Sequence, residues 1–78
     1  MFIVYVLRDT NGKVYKGVTN NLIRRLREHR SGETLSTRRM QGIDVVYTEE
    51  YPDFQTARSR EVYFKTAAGR RFLKKHLE

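Results

Sequence analysis

Two phenols, a guanidinium, an imidazole and a carboxylate stand in this chain at spacings that could bring them to one reacting group. Tyr5 lies in Ile3-Val4-Tyr5 and Tyr15 in Tyr15-Lys16-Gly17; Arg25 and His29 follow, one helical turn apart, and Glu61 comes toward the C-terminus. Phenols and an imidazole can carry protons. A guanidinium holds phosphate through its planar fork, and a carboxylate can hold a hard cation. Together these are the parts for hydrolysing a phosphodiester with one metal ion.

Taken singly, each residue also has a plain structural reading. Tyr5 and Tyr15 serve equally as aromatic strand residues that stabilise a hairpin. Arg25 and His29, four apart on a helix, share a face with Leu22 and Leu26. A guanidinium there either meets a phosphate or packs its stem on apolar surface and sends its head to water. Glu61 falls on a stripe with Phe54, Ala57 and Phe64, where a lone carboxylate is costly. It either pairs with a basic side chain such as Arg25 or Arg58, or binds a cation.

The elements that must position these groups read as follows. Phe2 to Leu7 is β-branched and aromatic and predicts a strand; Asp9 to Gly12 predicts a turn, with Asn11-Gly12 a strong hairpin signal. Lys13 to Val18 alternates and predicts a second, antiparallel strand. Pairing through Asn11-Gly12 sets residues whose numbers sum to about 23 opposite each other. Tyr5 then faces Val18, Tyr15 faces Arg8, and the phenols stand about 10 Å apart along the hairpin, on one face only if the turn carries a bulge. Thr19-Asn20-Asn21 caps a helix to about Arg30, ended by Ser31-Gly32, with Arg24, Arg27 and Glu28 toward solvent. Glu33 to Gln41 is a loop or short helix, and Ile43 to Tyr51 a third strand. Asp53 caps a second helix that Gly69 interrupts, before a terminal helix from Arg70 to Leu77. The order β-β-α-β-α-α predicts an α+β fold, a three-stranded antiparallel sheet flanked by helices.

With 78 residues and no cysteine, the chain is expected to form one domain, residues 1–78, without disulfides or a cysteine zinc site. The apolar start, Met1 to Leu7, is too short for a leader or a span, so no membrane role and a cytoplasmic location are expected. Sixteen Lys and Arg against nine Asp and Glu leave a net charge of +7. Such a surface attracts phosphate backbones. Lys16, Arg24, Arg27, Arg38, Arg39, Lys65, Arg70 and Arg71 are the candidates for that contact. No Walker loop, zinc-ligand set or Ser-His-Asp arrangement is present.

In combination these motifs resemble the GIY-YIG nuclease family, its small stand-alone bacterial type, over nearly the whole chain. The resemblance rests on the two tyrosine motifs, Thr19-Asn20-Asn21-Leu22, Arg25, His29 and the segment Ala57-Arg58-Ser59-Arg60-Glu61. It implies a metal-dependent endonuclease acting on DNA, of low sequence specificity or selective for flaps, branches or single strands, with RNA open as a substrate. Tyr5 or Tyr15 would orient or deprotonate the attacking water, His29 would assist, and Arg25 would stabilise transition-state charge. Glu61 would hold one Mg²⁺ or Mn²⁺, and Gly17 would let the backbone turn close to the site. Three departures stand out. The first motif lacks its glycine, Lys16 replaces an apolar residue in the second, and no asparagine follows Asn21 where larger members carry one after the glutamate. The other reading of the same chain is a basic nucleic-acid-binding protein that does not cut.

Overall fold

The computed structural model describes residues 1–77. Strand β1 runs Phe2–Arg8, β2 Val14–Thr19 and β3 Asp44–Tyr51; helix α1 runs Leu22–Arg30, α2 Phe54–Phe64 and α3 Ala67–Leu77. A 3-10 turn, Leu35–Thr37, sits between α1 and β3. The sheet is antiparallel in the order β2-β1-β3, so the expected α+β fold is the one found.

Because β1 is the middle strand, both its faces are covered, and its run Val4-Tyr5-Val6-Leu7 is buried throughout. An apolar run rather than a clean alternation is what a strand buried on both faces requires. Val4 and Val6 pack with Ala57, Phe64 and Leu73 of α2 and α3. Tyr5 and Leu7 pack on the other face with Ile43, Leu22 and Leu26. The sheet is therefore the middle of three layers, with α1 on the tyrosine side.

The hairpin differs from expectation by one residue. Asp9 N–H donates to Lys13 O, and Gly12 N–H donates to Asp9 O, both at 3.0 Å. Three residues, not two, span the gap, and Gly12 takes a left-handed φ of 85°. This is the three-residue loop closed by a glycine bulge. The Asp9 carboxylate holds it from inside, accepting from Asn11 N and Lys13 N at 3.0 and 2.8 Å. Paired residue numbers accordingly sum to 22: Tyr5 lies opposite Gly17 rather than Val18, and Tyr15 opposite Leu7 rather than Arg8. A one-residue slip turns every side chain of a strand to its other face. Here it sets both phenols toward α1, with ring centroids 6.2 Å apart instead of merely neighbouring along the hairpin.

A second irregularity lies across β1. Val6 pairs with Tyr47 but Leu7 pairs with Val45, leaving Val46 as a bulge. Val46 and Tyr47 both reach the α2–α3 core, while Val45 joins the tyrosine side. Glu49 then fastens β3 to the helices. Its carboxylate takes Arg60 at 2.9 and 3.2 Å together with the Tyr47 and Tyr51 hydroxyls. The Arg60 guanidinium covers the Phe64 and Phe72 rings at 4.7 and 4.8 Å.

Helix starts are where the caps place them: Asn21 Oδ1 accepts from Arg24 N at 3.0 Å, and Asp53 Oδ1 from Thr56 N at 2.8 Å. Two readings near the C-terminus are corrected. The helix breaks at Lys65-Thr66, where the Thr66 hydroxyl caps Gly69 N at 3.1 Å, and α3 begins at Ala67 rather than Arg70. Gly69 interrupts nothing. It is the point of closest approach between α2 and α3, where a Cβ would stand 1.9 Å from the Tyr63 carbonyl oxygen. Phe54, placed on the buried stripe by spacing, is 51% exposed, because the first turn of α2 overhangs the end of the sheet against Phe2.

Gly69→Ala should destabilise the protein by about 3 kcal/mol, because backbone rather than a flexible side chain blocks the new methyl. A urea unfolding midpoint unchanged by the substitution would show that the helices do not pack this closely.

Candidate active site

Four of the five predicted groups meet on the tyrosine face, in the order their elements dictate. Tyr5 reaches across β2 and lies over Gly17, where a Cβ would come within 2.6 Å of the phenol oxygen. Gly17 is thus mid-strand and not a turn; what matters is its missing side chain. α1, entering at Leu22, drops His29 onto the same spot. The Tyr5 hydroxyl and His29 Nε2 are 2.8 Å apart, and the Tyr15 and His29 ring centroids 4.9 Å apart. His29 is only 1% exposed. Its Nδ1 is met at 2.7 Å by the hydroxyl of Thr37, equally buried. Both hydroxyls can donate or accept, so either neutral tautomer satisfies the ring.

Arg25 lies beside both phenols, and its guanidinium is fixed at 2.8 Å by Glu28. Glu28, expected toward solvent, instead serves as this anchor. Arg25 is thereby held charged, first by Glu28 and then by the Tyr5 hydroxyl. Burial pushes the Tyr5 phenol up to about 12, against the counteracting pull of Arg25. Burial, and then Arg25, push His29 below its ordinary value. At neutral pH the cluster is a protonated phenol, a neutral imidazole and a guanidinium.

Glu61 is not in this cluster. It comes from α2, whose Ala57 and Phe64 pack with Val4 and Val6, and its oxygens go to Arg58 Nη1 at 2.8 Å and Lys65 Nζ at 3.0 Å. Of the two basic neighbours considered for it, the structure selects Arg58, since Arg25 belongs to Glu28. Among the described residues no group of three or more His, Asp or Glu could cage a metal. One carboxylate fits a hard ion that arrives with its waters and completes its shell with phosphate oxygens, and does not fit an all-protein site.

The basic candidates divide by location. Arg38 and Arg39 line a cleft of about 550 Å³ with Lys13, Met40 and Tyr15. Of the two phenols, Tyr15 opens on this cleft, and Tyr5 is buried behind it. Arg24 is exposed and leans toward Glu28 at 3.7 Å. Arg27 and Arg71 are exposed, and Lys65 is engaged with Glu61. Lys16 and Arg70 lie on the α3 side, where Lys16 is half-buried and held below its usual value by burial and then by Arg70 and Lys65. Arg30 is committed to the Ile43 carbonyl at 2.9 Å. Sequence reasoning missed Thr37, Glu28 and Gly17's true use. Only Glu28 left a signal, three residues after Arg25 on a helix.

A basic antiparallel sheet that gathers two phenols, an imidazole and a guanidinium on one face belongs to the class of nuclease-type domains. The GIY-YIG catalytic domain matches residues 1–76, and the chain belongs to the GIY-YIG family. It is 36% identical to a UPF0213 protein of Clostridium perfringens over 66 residues, 83% of this chain and 71% of that one. It is 32% identical to a UPF0213 protein of Autographa californica nuclear polyhedrosis virus over 74 residues, 92% and 71% of the two chains. The solution structure of a UPF0213 protein from Bacillus halodurans superposes with a TM-score of 0.58 at 28% identity, covering 96% of this chain and 84% of that one. No helix among the described residues is long and apolar enough to cross a membrane.

Since folding depresses the affinity of His29 for a proton, its contribution to stability is full above about pH 6.5 and is lost as the pH falls toward the folded-state pKa. An NMR titration of the His29 ring should give a midpoint below 6.5; one above it would show that the ring is not kept neutral. Thr37→Val should cost about 1–3 kcal/mol in chemical unfolding by orphaning Nδ1, with Thr37→Ser largely sparing it.

Proposed function

We propose that residues 1–78 form one endonuclease domain that hydrolyses DNA phosphodiesters with a divalent ion, Mg²⁺ or Mn²⁺, at the tyrosine face. The single observation that carries this is the convergence of Tyr5, Tyr15, Arg25 and His29 on one side of β2, in a chain of the GIY-YIG family. Tyr15, the phenol that opens on the basic cleft, orients the attacking water. When Nδ1–H is donated to Thr37, Nε2 is free to accept the Tyr5 proton, so the Tyr5–His29 pair can take a proton from water without ionising a phenol outright. Arg25, immobilised by Glu28, meets charge that grows on the phosphate oxygens. Glu61 would hold the ion, which when bound polarises the phosphate and neutralises the leaving oxygen.

The remaining basic residues supply sequence-independent attraction to the backbone, which fits low sequence specificity. A net charge of +7 with no cysteine suits a reducing compartment that holds nucleic acid, and we take the cytoplasm as its site. One observation favours the other reading, a binding protein that does not cut: both Glu61 oxygens are already engaged by cations, Arg58 and Lys65.

Incubation with supercoiled plasmid and labelled oligonucleotides in Mg²⁺, Mn²⁺ or EDTA separates the two. A nuclease should cut only with metal, and Glu61→Ala should abolish cutting while retaining binding. Arg25→Ala and Tyr15→Phe should each slow cutting by at least about tenfold, equivalent to about 1.4 kcal/mol of barrier. Binding without cutting in every metal would leave only the non-catalytic reading.

A further inference from the structure

A second basic concavity lies on the other face of β2. It is a groove of about 490 Å³ between β2 and α3, with Arg8, Lys16, Arg70 and Lys74 around Val14 and Leu73. Its lining carries no acidic side chain. The α3 contributors follow helical spacing, with Arg70, Leu73, Lys74 and Leu77 at i, i+3, i+4 and i+7, so one face of α3 is both basic and aliphatic.

The groove cations differ from those that serve ion pairs. Arg24, Arg25, Arg30, Arg58, Arg60 and Lys65 each hold a carboxylate. Among the described residues none of the four groove cations does. Lys16 is half-buried among like charges, an arrangement that costs free energy until an anion enters. An aliphatic floor ringed by unneutralised cations suits a ligand that is anionic along its length and flat and apolar on its faces. In a duplex the base faces are stacked on one another and hidden; in a single strand they are open to such a floor. Val14 belongs both to this groove and to the cleft at Tyr15, so the hairpin end of β2 stands as a wall between two basic channels.

We propose that the groove between β2 and α3 binds an unpaired nucleic-acid strand, so that this protein's substrate carries a single-stranded arm on the side of β2 away from the tyrosines. The inference deepens the nuclease reading and rests on it only for what happens at the tyrosine face, not for binding. The arm's phosphates lie among Arg8, Lys16, Arg70 and Lys74, and its bases against Val14 and Leu77.

Fluorescence anisotropy in EDTA tests this without any cutting. The probes are a labelled blunt DNA duplex, the same duplex with a single-stranded overhang, and vesicles containing phosphatidylglycerol. The wild-type protein should bind the overhang duplex at least tenfold more tightly than the blunt one. In the double variant Arg70→Glu, Lys74→Glu that preference should fall below twofold. The double variant Arg71→Glu, Lys75→Glu makes the same change of net charge on α3 outside the groove. It should weaken both duplexes alike and keep the preference. Equal binding of blunt and overhang duplexes by the wild type overturns the proposal, as does equal loss of preference in both variants. Vesicle binding through Arg70 and Lys74 without an overhang preference overturns it in favour of a lipid surface. An overhang preference in a protein that cuts nothing upholds the groove and defeats the nuclease reading; cutting with no preference does the reverse.

Discussion

Everything on the tyrosine face depends on the loop from Asp9 to Lys13. Its three residues, its glycine bulge and the carboxylate that ties two of its amides select one register for β1 against β2. In that register Tyr5 crosses β2 at the one residue with no side chain to obstruct it. A two-residue turn on the same strands would send one phenol to each side of the sheet. Hairpin geometry alone thus sets both phenols on one face, and α1 adds His29 and Arg25 to it.

The middle position of β1 explains how so small a chain keeps two polar networks apart. One strand buried on both faces supports two apolar clusters, and each cluster carries its own polar apparatus. On the α1 side a phenol, an imidazole and a threonine hydroxyl form a short buried chain with every polar atom satisfied. On the α2–α3 side Glu49 and Arg60 lock β3 to the helices, while Glu61 sits within reach of cations only. Buried polar networks that are fully paired fix a single arrangement. Both networks meet that condition here, which keeps the tyrosine cluster rigid under a net charge of +7.

Charge placement adds a second level of order. Where a cation serves the fold it is tied to a carboxylate or a carbonyl, as Arg60 is to Glu49 and Arg30 to Ile43. Other cations hold no carboxylate among the described residues, as Arg38 and Arg39 beside Tyr15 and Lys16 and Arg70 on the other face of β2.

The parts of this protein and their local frames were legible from residue types and spacing. The strands, the caps at Asn21 and Asp53, and the shared face of Arg25 and His29 all follow from local rules: periodicity, capping and helical pitch. The convergence of the phenols was not legible, because Asn11-Gly12 suits a two-residue turn as well as the longer loop, and the choice is made by Asp9 bonding across it. Nor was Thr37, whose pairing with His29 joins segments that only packing brings together. Gly69 looked like a helix breaker because its use, close contact with Tyr63 and Phe64, lies in another helix. Local chemistry thus determined which groups this chain owns and which element carries each. The tertiary structure alone decided that Tyr5, Tyr15, Arg25 and His29 meet, because register and layer order are set by contacts between residues far apart in the chain.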